Sequence, residues 1–93
     1  MAAYACWCCG HRTLPEEPPG TFTLCPVCFW EDDVALGLDR AGGANSVSLR
    51  EARANFERYG ACDEAARPHV RPPGSEELPR TEWSQDELPG DPG

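Results

Sequence analysis

The stretch from residue 6 to residue 28, CWCCGHRTLPEEPPGTFTLCPVC, decides how the rest of the chain is read. Cys6 and Cys9 form one C-x-x-C pair and Cys25 and Cys28 another, with fifteen residues between the pairs. Two thiolates on a tight turn can point at one tetrahedral ion, and a second such turn completes an all-sulfur shell, so the spacing is that of a zinc site made by two loops. Gly10 follows the first pair where a turn needs positive φ. Pro26 fixes φ inside the second pair. Trp7 stands where the usual C-P-x-C-G knuckle has proline, and Phe29 stands where it has glycine.

Between the pairs, Arg12-Thr13-Leu14 and Thr21-Phe22-Thr23-Leu24 are short β-prone runs flanking the turn formers Pro15 to Gly20. They predict a hairpin with Phe22 and Leu24 on its apolar face. Two disulfides or a redox C-x-x-C are the competing readings of the four cysteines. A thioredoxin-type motif needs a βαβ context that a chain of 93 residues with nine Gly and ten Pro does not readily supply. Four thiolates close the shell, which assigns a single Zn2+ to structure rather than to activation of water. His11, two residues past Cys9, is an alternative ligand or an imidazole beside the shell. Cys8 and Cys62 fall outside the set, either as small buried apolar groups or as a reversible disulfide pair.

Downstream, Ser48-Leu49-Arg50-Glu51 has the form of a capping box, and Leu49, Ala52, Phe56 and Tyr59 share one helical face up to Gly60. A helix over about 48–60 is expected to pack on the ribbon, with Arg50, Arg53 and Arg58 off its apolar face among Glu51 and Glu57. Glu31-Asp32-Asp33 and Asp39 read as a solvated or partner-facing acidic loop, since no Ca2+-loop spacing is present. Gly42-Gly43-Ala44-Asn45 reads as a tight turn. Composition shifts near Arg67 toward Pro, Gly and acids. Residues 1–70 are expected to form the cysteine-rich domain and 71–93 a flexible Pro-rich, acidic tail. Within that tail the segment from Leu78 to Leu88, anchored by Trp83, is a candidate docking peptide.

The chain is too short for a large catalytic scaffold. It has no apolar window of membrane-spanning length and no signal-like amino terminus, so the expected compartment is the reducing cytoplasm, where cysteines favour metal over disulfides. Sixteen acids face eight arginines and no lysine, a net charge of −8 that disfavours a nucleic-acid partner. No nucleophile–base pair or phosphate loop is present, so an enzyme is not expected.

The motifs CWCCG (Cys6 to Gly10), CPVCFWEDD (Cys25 to Asp33) and GGANSVSLREARANFERYGACDE (Gly42 to Glu64), with the Val70-Arg71-Pro72 end, resemble the small bacterial cysteine-rich CPCC family across Tyr4 to Pro73. Trp7 departs from the proline in the family's name. The resemblance implies a stand-alone, zinc-binding bacterial protein and implies no activity. The fold expected is thus a small metal-stabilised α+β domain, with a zinc-ribbon-like hairpin carrying two knuckles, one amphipathic helix and a disordered acidic tail. The function expected is a zinc-stabilised protein-interaction module, an adaptor or regulator that binds another protein. Alternatives are an immunity or antitoxin protein that neutralises a basic toxin, a nucleic-acid-binding ribbon, and a thiol redox protein using Cys8 and Cys62.

Overall fold

A computed structural model of the chain describes residues 4–33, 38–39 and 44–79. Each C-x-x-C turn sends the chain back along itself, and local pairing follows from that reversal. Strand β1 (Tyr4–Ala5) pairs antiparallel with β2 (Arg12–Leu14) across the first turn, Tyr4 opposite Leu14 and Ala5 opposite Arg12, with a bulge between. Across the second turn Leu24 bridges Glu31. The Phe22 amide donates to the Asp32 carbonyl at 2.7 Å, and the Asp32 amide to the Thr23 carbonyl at 3.0 Å.

The expected hairpin is therefore rearranged: among the described residues, Arg12–Leu14 and residues 21–24 each pair across their own knuckle and not with one another. Loop length does not choose between the pairings, since six residues lie between Ala5 and Arg12, between Leu24 and Glu31, and between Leu14 and Thr21; the left-handed residue after each second cysteine turns the chain back within the knuckle. Phe22 adds a second reason. Its φ of 57° lies in the left-handed region and interrupts the period-two alternation of the run. The side chains expected on the hairpin's apolar face are turned outward, with Phe22 56% and Leu24 46% exposed.

Helix α1 (Leu49–Tyr59) begins where the Ser48 Oγ accepts the Glu51 amide at 3.1 Å. It ends at Gly60, whose left-handed φ of 81° lets its amide donate to the Phe56 carbonyl at 2.8 Å. The buried face is Leu49, Ala52, Arg53 and Asn55, with Phe56 and Tyr59 half-buried at its margin. Arg53, expected among the solvated charges, is 1% exposed. It sits one position beyond Ala52, on the edge of the apolar stripe, and its Nε donates to the Trp7 carbonyl inside the first knuckle at 2.8 Å. Arg50 and Arg58 do face outward, as do Glu51 and Glu57.

After α1 comes a 3-10 helix (Glu64–His69) that periodicity did not announce. Its start is capped by Asp63, whose Oδ1 accepts the Ala66 amide at 2.8 Å. The Cys62 amide donates to the Cys28 carbonyl at 2.8 Å, and Asn55 Nδ2 to the Cys62 carbonyl at 3.0 Å. Ahead of α1, Asn45 imitates a strand. Its Oδ1 accepts the Glu31 amide at 3.0 Å and its Nδ2 donates to the Glu31 carbonyl at 2.8 Å. The core gathers Leu14, Val27, Leu49, Ala52, Ala61 and Ala66 around Cys6, Cys8, Cys25, Cys28 and Cys62.

The acidic loop is partly tied down by such bonds, with Asp32 buried and Asp39 left exposed. Asp32 is buried and accepts from the Thr21 amide and hydroxyl at 2.9 and 2.7 Å. Asp33 Oδ2 accepts the Ala44 amide at 2.6 Å, and Asp39 pairs with Arg50 at 2.7 Å. Gly42 and Gly43 lie outside the described residues.

Residues 71–79, expected in the tail, form a strap along β2. The Arg12 amide donates to the Leu78 carbonyl at 3.0 Å, and His11 bridges Pro79. An open strand edge offers unpaired backbone groups, and the strap takes them up. Within the strap Arg71 grips Glu77 through two contacts of 2.7 and 2.8 Å, and the Gly74 amide donates to the same carboxylate at 2.7 Å. The Arg71 guanidinium, then the Gly74 amide, hold the Glu77 carboxyl down at about 2. Because the folded value is depressed, this contribution is present above the ordinary carboxylate range and is lost only as pH falls toward 2. Trp83 and the candidate docking segment beyond Pro79 lie outside the described residues.

Two substitutions probe these joints. Arg53→Ala leaves the Trp7 carbonyl without its donor and a gap beneath α1, so thermal or urea unfolding of the metal-loaded protein should show a loss of about 2–3 kcal/mol. Glu77→Ala should accelerate hydrogen exchange at the Arg12 amide while leaving the Gly10 and Phe29 amides protected; equal acceleration at all three would show that the strap is not a separate unit.

Candidate metal centre

Both knuckles are built from the same two backbone bonds. In the first, the Cys6 amide donates to the His11 carbonyl and the Gly10 amide to the Cys6 carbonyl, each at 2.9 Å. In the second, the Cys25 amide donates to the Trp30 carbonyl at 2.9 Å and the Phe29 amide to the Cys25 carbonyl at 2.8 Å. The residue after each second cysteine is left-handed, Gly10 at φ 79° and Phe29 at φ 69°. Trp7 in place of proline leaves this pattern intact. Phe29 adopts at a bulky residue a conformation that glycine takes without strain, at a cost of about 1–2 kcal/mol, and its ring stacks on His69 with centroids 5.0 Å apart.

These turns bring together the four cysteines singled out by spacing. The sulfur atoms of Cys6, Cys9, Cys25 and Cys28 all lie within 4.8 Å of one another. Two contacts cross between knuckles, Cys6 to Cys28 at 3.6 Å and Cys9 to Cys25 at 3.7 Å. A tetrahedron with metal–sulfur bonds of about 2.3 Å has edges of about 3.8 Å, so the cluster has the size of a tetrathiolate shell. Cys6, Cys25 and Cys28 are almost wholly buried, and Cys9 is half-buried. All six cysteines are free, and the two close sulfur pairs stand well beyond disulfide bonding distance.

Neighbouring groups brace the sulfurs. The Cys8 amide donates to Cys6 Sγ at 3.4 Å, and the Thr13 hydroxyl lies 3.0 Å from Cys25 Sγ. Hydrogen bonds from Cys28, Cys6 and Cys9, with Thr13 adding to them, hold the Cys25 thiol far below its ordinary value. Burial first of all pushes Cys6 and Cys28 far upward, and the hydrogen bond to Cys25 does the same for Cys9. Four thiolates so close repel one another, and a divalent cation supplies the charge that lets all of them ionise.

His11 is not a member of the sulfur group. Its Nδ1 donates to the Glu77 carbonyl at 2.8 Å, and its ring meets Phe56 edge-on at 6.1 Å, so the imidazole ties the strap to α1. Cys8 and Cys62 are both 3% exposed and belong to the core. Burial, and after it the nearby Cys8, push the Cys62 thiol up to about 12. Thr13 and Arg53 were not singled out as supports of the site. Thr13 read as a strand residue, although its place one position before Leu14 in a short β run does put it on the side opposite Arg12 and Leu14.

The arrangement can hold one metal ion between two turns and offers it sulfur alone. No curated protein and no solved structure matches the chain. The sequence pattern of one protein family, described as cysteine-rich CPCC, matches residues 4–77, which takes in both knuckles, α1, the 3-10 helix and most of the strap. On that match, the chain belongs to the cysteine-rich CPCC family.

Proposed function

We propose that the protein is a zinc-stabilised interaction module, a small adaptor or regulator that binds another protein and uses a single Zn2+ on Cys6, Cys9, Cys25 and Cys28 to hold its fold. The observation that carries the metal part is the crossed sulfur cluster, with its 3.6 and 3.7 Å edges. Sulfur-only ligation at that size favours zinc over hard cations, and four protein ligands leave no open position for a reactive water. The role is therefore structural, and no catalytic step is assigned. When bound, the ion would hold four thiolates that the chain alone does not keep ionised together.

A protein partner is favoured by how the charges are disposed. With a net charge of −8, the chain repels phosphate backbones as a whole. Several arginines are engaged internally: Arg50 with Asp39, Arg67 with Glu64, Arg71 with Glu77, and Arg53 in the core. Phe22, Leu24 and Leu78 are large apolar groups left at the surface. No helix among the described residues is long and apolar enough to cross a membrane. A reducing cytoplasm is the compartment that keeps such thiols available to a metal.

Native mass spectrometry of the purified protein should report one zinc per chain. Removal of the zinc with a strong chelator should abolish the helical circular-dichroism signal, because metal binding worth about 10–16 kcal/mol exceeds what a core of this size supplies. A metal-free protein that stays folded with an unchanged spectrum would overturn the structural role. Cys25→Ser should lose stoichiometric zinc, whereas Cys62→Ser should retain it.

A further inference from the structure

Beside the second knuckle lies a groove of about 370 Å3 that the metal site does not use. Leu24, Phe29 and Ala66 line it with apolar surface, and Glu31 and Asp63 contribute carboxylates. Among the described residues its lining holds no lysine or arginine, and His69 is its basic side chain. Asp63 is fixed in place, its Oδ1 on the Ala66 amide at 2.8 Å and its Oδ2 on the Ser46 hydroxyl at 3.0 Å. Both bonds come from neutral donors and leave the carboxylate oxygens lone pairs to spare. Phe29 is held flat against His69, and Leu24 is 46% exposed.

A wall of leucine and phenylalanine beside two acidic residues, with no lysine or arginine among the described residues that line it, matches a side chain with an apolar stem and a charged head. Arginine and lysine have that form. The groove also continues past Asp63. A second depression of about 430 Å3 shares Ser46, Asp63 and Ala65 with it and adds Glu51 and Glu64, with Arg58 the one basic residue among the described residues that line it. Two adjoining depressions with Asp63 at their boundary suit several residues of extended chain better than a compact small molecule.

We propose that this groove binds an extended peptide of a partner protein, with an arginine or lysine against Glu31 and Asp63 and a large apolar side chain against Leu24 and Phe29. The inference rests on the reading of the protein as an interaction module and names the surface and the chemistry of the partner. Charge attraction over the acidic surface would speed encounter, and the two acidic residues would fix register.

The test uses the zinc-loaded full chain against a phage-displayed library of random linear peptides. A selected peptide is then synthesised with a fluorescent label, and its Kd measured for the wild type, Glu31→Gln, Asp63→Asn and the charge-matched distal control Glu16→Gln. Asparagine caps helices as well as aspartate does, so Asp63→Asn keeps the 3-10 helix start; if it nevertheless unfolds by circular dichroism, Glu31→Gln decides alone. Enriched peptides should combine a basic with a large apolar residue. Each groove variant should weaken binding about tenfold, the loss expected for one charge-assisted hydrogen bond, while Glu16→Gln leaves Kd unchanged. Peptides without a basic residue, or binding that the groove variants do not weaken, would overturn the groove and leave the interaction module standing on another face. Equal weakening by Glu16→Gln would reduce the effect to general charge attraction and overturn it as well. Self-association of the free protein that Glu31→Gln abolishes would assign the groove to a second copy instead. Failure to enrich any peptide would count against both the groove and the module.

Discussion

Four sulfur atoms from two separate turns must meet at one point, and nearly every other feature of the domain answers to that requirement. For two thiols three residues apart to converge, the chain has to fold back at once, and the residue after the second thiol has to be left-handed. Gly10 meets this without strain, whereas Phe29 meets it at φ 69° against its own preference. The same backbone bonds recur in both turns although proline and glycine are divided between them, one to each. The geometry is thus set by convergence of the sulfurs rather than by the residues usual at the flanking positions.

Once the knuckles are fixed, the remaining chain has little apolar material with which to attach itself. The core consists of small side chains and cysteines, with Leu14, Val27 and Leu49 as its larger members. Polar joints supply what burial cannot. Arg53 ties α1 to the first knuckle through the Trp7 carbonyl, Asn45 clamps the approach to α1 onto Glu31, and Asn55 holds the chain at Cys62, whose amide in turn meets Cys28. Each joint pairs a side chain with a backbone group in a buried or partly buried place, and at Cys62, where the bond is buried, its loss is most costly. Such joints fix direction as well as distance, which a core of alanines and cysteines does not.

What could be read in the sequence follows from the same division. The sulfur cluster and α1 were legible because both depend on fixed spacing: three residues within a knuckle, and the serine-to-glycine frame around a helical period. The strand partners were not, because β propensity marks Arg12–Leu14 and residues 21–24 as extended without saying which neighbour each will pair with, and here the reversals at the two cysteine turns decide. Arg53 was misplaced because a pattern of apolar residues assigns an arginine to solvent, whereas its position beside Ala52 puts its stem on the buried edge and its head on a carbonyl far away in sequence. The strap was missed because composition from Pro68 onward indicates poor burial, and residues 71–79 are held by backbone pairing and the Arg71–Glu77 grip rather than by burial. Long-range polar contacts of this kind leave no periodic trace.

The exposed residues take on meaning when set beside the energy available. A bulky residue at positive φ costs about 1–2 kcal/mol, and two stand among the described residues, Phe22 and Phe29. Phe29 recovers something through its stack on His69 and its half-burial against the core, and its conformation is required by the knuckle. Phe22 has no such compensation from burial, since more than half of its surface faces solvent. Under the structural role proposed for zinc, the ion's binding energy is large enough to carry both positions, so the fold does not need Phe22 and Leu24 in its core. Metal stabilisation then frees large apolar side chains for the surface, where the outward face of the second knuckle runs up to the groove at Leu24.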